Sequence, residues 1–391
     1  MPKAVILGSA RTPIGKLGGA LAAVDATSLG SVAIAAALER SGVAADRVEH
    51  VVIGTVIAAG QGQVPSRQAA HAAGIPVNVS SDTLNKACAS GMRAVSLLDT
   101  SIRAGDIEVG VGGGMESMSR APYLLDGARF GLRMGDATVH DAMLRDGLES
   151  PWSGKHMAAE ATEVAAELEI TRADMDRWAL RSHQLATAAI DDGRMDEEIV
   201  PVTIQARKAD VVVGADEAPR RDTTLETLAG LPAIFVEGGS HTAGNSPGVN
   251  DGACAIVVAS SQWAQDNGHE PLATIVATAQ AADEFPYLAR TPALASRKAL
   301  ATAELDPAEI DLWEINEAFA SVTLQSIRLL GIDEDRVNVN GGAIALGHPI
   351  GASGARILAT LVHELRRRGG GLGCAAICSA GAQGDAVVVR V

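Results

Sequence analysis

The chain has 391 residues, of which 47% are hydrophobic and 20% charged, and its formal net charge at pH 7 is −15. This acidic balance argues against a nucleic-acid-binding surface, and the longest apolar runs have the length of a strand, too short to span a membrane. Four cysteines in so long a chain do not make a disulfide framework, which predicts a reducing, cytoplasmic location.

The first predicted element is a strand at residues 4–8, and the segment lacks the charged leader and long apolar core of a signal peptide. Strands and helices then alternate along most of the chain, which indicates a parallel or mixed α/β sheet system. The length of the chain allows more than one packed unit.

The next informative segment, residues 85–93, places one thiol at the start of a predicted helix. Unpaired backbone N–H groups and the positive end of the helix dipole would point at the sulfur of Cys88. This environment favours the thiolate, which is the nucleophilic form, and makes Cys88 a candidate for covalent acyl transfer. A lone cysteine is more often an inert buried side chain, so the assignment depends on the residues that follow.

The middle of the chain, from about residue 120 to residue 249, opens with loop-like sequence and contains a helical stretch at residues 158–193. We interpret it as an insertion between two α/β units. Its basic pairs, Arg207-Lys208 and Arg220-Arg221, are the best candidates for contact with a polyanionic ligand. An ordinary solvated loop has the same composition, so these pairs alone do not decide the matter.

Three further motifs follow towards the C-terminus. They contain Asn316, then His348 within a glycine-rich run, and then Cys378. An amide, an imidazole and a second thiol, together with Cys88, are the components of a site for carbon–acyl chemistry. Cys374 and Cys378 would also suit a metal or redox pair, but no partner ligands stand at a suitable spacing, so we predict no metal.

The two ends of the chain resemble each other. Three pairs of segments match in order at a near-constant offset: residues 48–52 with 310–314, 89–93 with 352–356, and 109–114 with 376–381. We therefore predict two copies of one α/β unit, formed by residues 1–119 plus 250–269 and by residues 270–391, with residues 120–249 as an inserted domain. The duplication places Cys88 and His348 on equivalent turns, each just before a helix, and so near one another.

These motifs resemble those of the thiolases, and the resemblance spans essentially the whole chain. Further segments that carry it are residues 113–119, 156–157, 179–183, 242–245 and 250–253. The resemblance implies an α/β fold, a five-layered αβαβα sandwich of two duplicated halves with an inserted loop domain. It implies reversible Claisen condensation of two acetyl-CoA molecules to acetoacetyl-CoA and CoA through an acetyl-cysteine. CoA is then substrate and product, no cofactor or metal takes part, and the protein is a homotetramer or a homodimer.

The resemblance also assigns roles to individual residues. Cys88 is the nucleophile, His348 accepts its proton, and Cys378 takes the α-proton of the second acetyl-CoA. Asn316 holds a water that, with His348, binds the enolate oxygen, and the backbone N–H groups of Cys88 and Ala380 form the oxyanion hole. The remaining assigned residues bind the substrate or CoA. His156 and Met157 resemble the pair found in short-chain enzymes, and Ser246 is also assigned to this set. Phe235, Ala243 and Phe319 match apolar positions along pantetheine, and Arg220, Thr227 and Leu231 match positions near the nucleotide.

Two positions depart from the family pattern. Pro247 stands where many thiolases have a serine that bonds a pantetheine amide, and Ala380 stands where many have a glycine free to adopt positive φ. We expect these departures to affect CoA affinity and acyl-chain range more than the reaction class. A broader-range 3-ketoacyl-CoA thiolase and a catalytically silent acyl-CoA-binding protein are alternatives. An enzyme acting on acyl carrier protein is disfavoured, because a histidine or asparagine would then be expected at Cys378.

Overall fold

The computed structural model describes residues 3–391. Its helices and strands alternate along the chain, with a π-helical turn at Met143–Leu148. In chain order they are β1 (Ala4–Arg11), β2 (Gly15–Lys16), α1 (Ala26–Ser41), β3 (His50–Gly54), α2 (Pro65–Ala72), β4 (Ser80–Leu84), α3 (Ser90–Ala104), β5 (Val109–Ser117), β6 (Tyr123–Leu125), β7 (Val139–Asp141), α4 (Met157–Glu167), α5 (Arg172–Asp191), β8 (Val202–Ile204), β9 (Val211–Val213), α6 (Leu225–Ala229), β10 (Asn250–Ser260), α7 (Ser261–Asp266), β11 (Ala273–Ala282), α8 (Thr291–Ala303), β12 (Leu312–Ile315), α9 (Ala320–Leu330), α10 (Ala343–Leu346), α11 (Ser353–Arg367), β13 (Leu372–Ser379) and β14 (Gln383–Arg390).

The architecture is the five-layered sandwich that the sequence predicts. One sheet has the order β1-β10-β5-β3-β4 and the other β12-β13-β14-β11, and a short pairing of β1 with β11 joins them. Helices α1 and α2 cover the outer face of the first sheet, α8 and α9 cover that of the second, and α3 and α11 lie between the two sheets. The central apolar cluster is accordingly built from α3, α11 and strands of both sheets.

Strand pairing corrects one of the three matches within the duplication. His50 of β3 pairs with Gly110 of β5, and Leu312 of β12 pairs with Gly373 of β13. Because the first match makes His50 equivalent to Leu312, Gly110 is equivalent to Gly373. The predicted match of residues 109–114 with 376–381 is therefore wrong by four residues, since small residues match one another at several registers.

Two glycines let the central helices meet at their N-terminal ends. A Cβ added at Gly91 of α3 would lie 2.9 Å from the carbonyl oxygen of Gly351, and one added at Gly354 of α11 would lie 2.6 Å from the backbone nitrogen of Met92. Neither neighbour is a flexible side chain, so only glycine permits this approach. The contact brings together the turns that precede the two helices, which carry Cys88 and His348.

The helical stretch predicted at residues 158–193 is two helices, α4 and α5. The chain leaves the first at Glu169, whose φ is +54°, and enters the second at Thr171. The Thr171 side chain and Asp174 form a reciprocal capping box, which fixes the start of α5. After the insertion, β10 returns to the first sheet between β1 and β5. The boundaries at residues 120, 250 and 270 stay a prediction. Within residues 3–391 no helix has the length and apolarity to cross a membrane.

Candidate active site

One cavity of about 500 Å³ gathers most of the predicted site residues. Cys88 of the first half and His348 of the second half both line it, as the duplication predicts. Seven of the nine residues assigned to CoA line it as well: His156, Met157, Arg220, Phe235, Ala243, Ser246 and Phe319.

A tight turn with a strained residue presents Cys88 to this cavity. Ala87 has a φ of +43°, a left-handed conformation that is unfavourable for a residue with a side chain. The turn is held because the Asn85 side-chain oxygen accepts from the Ala87 N–H at 3.0 Å and the Ser90 hydroxyl accepts from the Lys86 N–H at 2.7 Å. Helix α3 then begins at Ser90, two residues after Cys88.

The helix start at Cys88 favours the thiolate, but burial of the sulfur opposes it. Burial raises the pKa of the Cys88 thiol to about 12, and the nearby carboxyl group of Glu116 adds to the rise. The helix start supplies donors beside the sulfur, but it does not offset the loss of water around a buried negative charge. Cys88 therefore rests as a thiol and must lose its proton as it attacks.

The imidazole of His348 is oriented to accept that proton. Its Nδ1 lies 2.6 Å from the Ser353 hydroxyl oxygen, and this hydroxyl donates to the carbonyl of Pro349 at 2.9 Å. The hydroxyl has one hydrogen to donate. With that hydrogen on the carbonyl of Pro349, Nδ1 of His348 carries the ring hydrogen and Nε2 keeps its lone pair. Nε2 is buried and has no partner among the described residues. Burial and the charge of Arg356 lower the pKa of His348 to about 3, so the ring is neutral.

Cys378 lies beside Cys88 near the end of β13 and is fully buried. Burial and the neighbouring Cys88 raise the pKa of the Cys378 thiol well above its usual value. The Cys378 side chain packs in an apolar cluster with Phe319 and Val322. Both thiols are therefore buried and protonated at rest.

Asn316 follows β12 and is buried, with both polar atoms of its amide unpaired among residues 3–391. A buried amide without partners is costly, and a water or a polar group of a ligand usually satisfies it. The loop cannot easily move, because the carboxylate of the next residue, Glu317, accepts from Trp178 Nε1 at 2.9 Å, the Ser182 hydroxyl at 2.8 Å and the Ile344 N–H at 2.9 Å. The amide of Asn316 is thus held ready for a partner.

Five predicted residues lie away from the lining of the main cavity: the buried Asn316 and Cys378, and also Thr227, Leu231 and Ala380. The Thr227 hydroxyl belongs to a capping box with Thr224 at the start of α6, and Leu231 packs against the apolar cluster of the second half. Ala380 lines a smaller neighbouring cavity, together with Gly381. The left-handed positions of this turn are Gly381 at +73° and Ala382 at +49°, so the backbone of Ala380 itself does not adopt a positive φ.

Sequence reasoning missed part of the cavity wall. The wall near the thiol includes apolar residues, several of them on the π-helical turn, that no motif singled out: Met118, Met143, Leu144, Gly147, Leu148 and Ile350. It also missed the support that Asn250 gives to His348, whose N–H donates to the Asn250 side-chain oxygen at 2.9 Å. The six-residue turn has no periodic apolar pattern, and the supporting contact joins residues 98 positions apart.

A thiol and a neutral imidazole line one apolar cavity, and a second, buried thiol lies near the first. These groups define an acyl-transfer site that works through a cysteine thioester. The family models for the thiolase N-terminal domain and the thiolase C-terminal domain match residues 4–262 and 269–391. The chain therefore belongs to the thiolase family.

Relatives cover the chain from end to end. It is 48% identical to an acetyl-CoA acetyltransferase of Cupriavidus necator over 391 residues, which is 100% of both chains. It is 46% identical to an acetyl-CoA acetyltransferase of Escherichia coli, over 100% of this chain and 99% of the relative. The crystal structure of the Bacillus anthracis acetyl-CoA acetyltransferase superposes with a TM-score of 0.97 at 41% identity, and the match covers 100% of this chain and 99% of that one.

Proposed function

We propose that the protein is an acetyl-CoA C-acetyltransferase that joins two acetyl-CoA molecules to acetoacetyl-CoA and CoA, and catalyses thiolysis in reverse. The observation that carries the proposal is the cavity shared by Cys88 and His348, with Cys378 beside the nucleophile. The relatives named acetyl-CoA acetyltransferase, which match the chain over its full length, support the choice of substrate.

In the first half-reaction the sulfur of Cys88 attacks the thioester carbonyl of acetyl-CoA, and its proton passes to Nε2 of His348. The oxyanion is bound by the backbone N–H groups of Cys88 and Ala380; one such donor typically contributes about 2.7–4 kcal/mol to lowering the barrier. When the carbon–sulfur bond of CoA breaks, the departing thiolate takes this proton from the imidazolium of His348. The products are acetyl-Cys88 and CoA, with His348 neutral again and Cys378 still a thiol.

In the second half-reaction another acetyl-CoA occupies the cavity. The proton of Cys378 passes to His348, and the resulting Cys378 thiolate removes the α-proton of this substrate. The imidazolium of His348 and a water held by Asn316 donate hydrogen bonds to the enolate oxygen. The α-carbon attacks the acetyl group, and the Cys88 thiolate leaves and regains its proton from His348. Both thiols and the neutral imidazole are restored, so the cycle needs no group beyond these side chains and the CoA thioesters.

The test combines turnover with mapping of the intermediate. The protein is assayed for thiolysis of acetoacetyl-CoA and of longer 3-ketoacyl-CoA thioesters, and it is incubated with acetyl-CoA for peptide mass spectrometry. We expect turnover of acetoacetyl-CoA and an acetyl group on Cys88, with Cys88→Ala as the control. Equal or better turnover of long chains would favour the broader-range enzyme. No turnover at any chain length would favour a silent acyl-CoA-binding protein, and acetyl on Cys378 with Cys88 unmodified would reverse the two thiols.

We further propose that the protein acts in the cytoplasm, in lipid metabolism, as a homotetramer or a homodimer. The hairpin of β6 and β7 supports self-association, because its connecting loop leaves Phe130 87% and Met134 100% exposed in the single chain. Exposed apolar side chains grouped in this way are typical of a surface that another chain covers. Analytical ultracentrifugation tests this, and a monomer at micromolar concentration would contradict it.

A further inference from the structure

A buried ion pair ties the nucleophile turn to the other half of the molecule. Lys86 directly precedes the strained Ala87, and its Nζ donates to Asp385 Oδ1 at 2.5 Å and to Gln280 Oε1 at 2.8 Å. The Lys86 side chain is 12% exposed and that of Asp385 is 1% exposed. Asp385 lies on β14 and Gln280 on β11, so both partners belong to the second sheet.

The same lysine also contacts the strands that position Cys378. Asp385 pairs across the sheet with Ile377, one register position from the pairing of Cys378 with Gly384. The main-chain carbonyl of Lys86 accepts a hydrogen bond from the hydroxyl of Ser379, the residue that follows Cys378. The main chain of Lys86 is therefore attached to the strand that carries the second thiol, and its side chain to the strand that pairs with it.

The strained turn needs such an attachment. A non-glycine residue in a left-handed conformation persists only where its surroundings determine it. The side chains of Asn85 and Ser90 stabilise the turn around Ala87, and both residues belong to the first half of the molecule. Lys86 is the residue of this turn whose side chain and carbonyl both reach the second sheet.

We propose that Lys86 is a positioning residue that fixes the spacing between the thiols of Cys88 and Cys378. The inference rests on the proposed function, because it concerns the step that uses both thiols. Acetylation requires Cys88, His348 and a bound thioester. Carbon–carbon bond formation also requires the α-carbon of the second substrate to lie within reach of both Cys378 and acetyl-Cys88. The rate of such a step falls steeply when the reacting atoms are displaced by even a small distance. Loss of the ion pair should therefore slow condensation much more than acetylation.

The test measures both half-reactions in Lys86→Met. We expect the single-turnover rate of Cys88 acetylation to stay close to that of the wild type, while acetoacetyl-CoA synthesis falls about 10–100-fold. Lys86→Arg keeps the charge and should recover most of the synthesis. Lys298→Met is the matched control: the exposed Lys298 donates to the backbone carbonyl of Gln280 at 3.2 Å, and its loss should change neither rate.

A second variant separates positioning from stability. Lys86→Met leaves the Asp385 carboxylate buried and unpaired, which can unfold a protein, whereas the double variant Lys86→Met/Asp385→Leu removes both charges. We expect the double variant to fold and melt like the wild type and still to condense slowly. Wild-type condensation by this variant, its failure to fold, or equal losses in both half-reactions would each overturn the proposal. A wild-type protein that makes no acetoacetyl-CoA would instead contradict the proposed function.

Discussion

The hydroxyl of Ser246 provides a direct test of how the cavity binds CoA. Ser246 lines the cavity, is almost fully buried, and its hydroxyl oxygen has no partner within residues 3–391. Its neighbour Pro247 offers neither a hydroxyl nor an N–H. We therefore expect Ser246 to make the polar contact to the pantetheine arm, and Ser246→Ala to remove one neutral hydrogen bond. Such a bond contributes about 0.5–1.5 kcal/mol, which corresponds to about a 2–13-fold change in affinity.

The assay is thiolysis of acetoacetyl-CoA at varied CoA thioester concentration. Pantetheine is remote from the reacting carbon, so the loss should be equal in the ground and transition states and should raise KM without changing kcat. The companion variant Pro247→Ser should change KM little if Ser246 already fills this role. An unchanged KM in Ser246→Ala together with a lowered KM in Pro247→Ser would refute the reasoning, since the missing contact would then lie at the proline.

The remaining predictions concern the two half-reactions, the helix contact and pH. Cys378→Ala should still be acetylated on Cys88 by acetyl-CoA but should lose condensation, and wild-type condensation would contradict the role given to the second thiol. Gly354→Ala should lower the free energy of unfolding by about 1–3 kcal/mol in chemical denaturation, because the new Cβ meets backbone atoms of the facing helix. Gly230→Ala, where a Cβ has ordinary contacts of 3.6 Å, is its control, and equal stability of the two variants would contradict the argument. The single-turnover acetylation rate should show no inflection between pH 5.5 and 8 from His348, because its pKa of about 3 keeps the ring neutral throughout; an inflection near pH 6.5 would show that the imidazole is not desolvated in this way.

The sequence was sufficient for the chemistry that lies in local motifs. Cys88 precedes a helix, and His348 lies a few residues before the equivalent helix of the second half, as the repeated segments predict. Their meeting in one cavity also follows from the duplication, because equivalent turns of a duplicated unit face one another. His156, Met157, Ala243 and Ser246 line the same cavity, as the resemblance implies.

Protonation states could not be predicted in this way. The helix start at Cys88 indicates a thiolate, whereas the folded site excludes water and raises the pKa of the thiol to about 12. The tautomer of His348 depends on Ser353 donating to the carbonyl of Pro349, a detail of side-chain geometry. Burial of these groups comes from packing between the two sheets and the insertion, and no local pattern encodes it.

The corrected register of the duplication shows how a symmetric scaffold carries an asymmetric site. If Gly110 is equivalent to Gly373, then Met115 of β5 is the counterpart of Cys378 of β13. Both side chains belong to clusters on the outer side of their sheets, but Met115 packs beneath α1, where a Cβ added at Gly30 would lie 2.5 Å from its sulfur. In the second half the same position holds a thiol beside Cys88. Equivalent turns thus bring Cys88 and His348 together by symmetry, and a single change at one pair of equivalent positions supplies the second thiol.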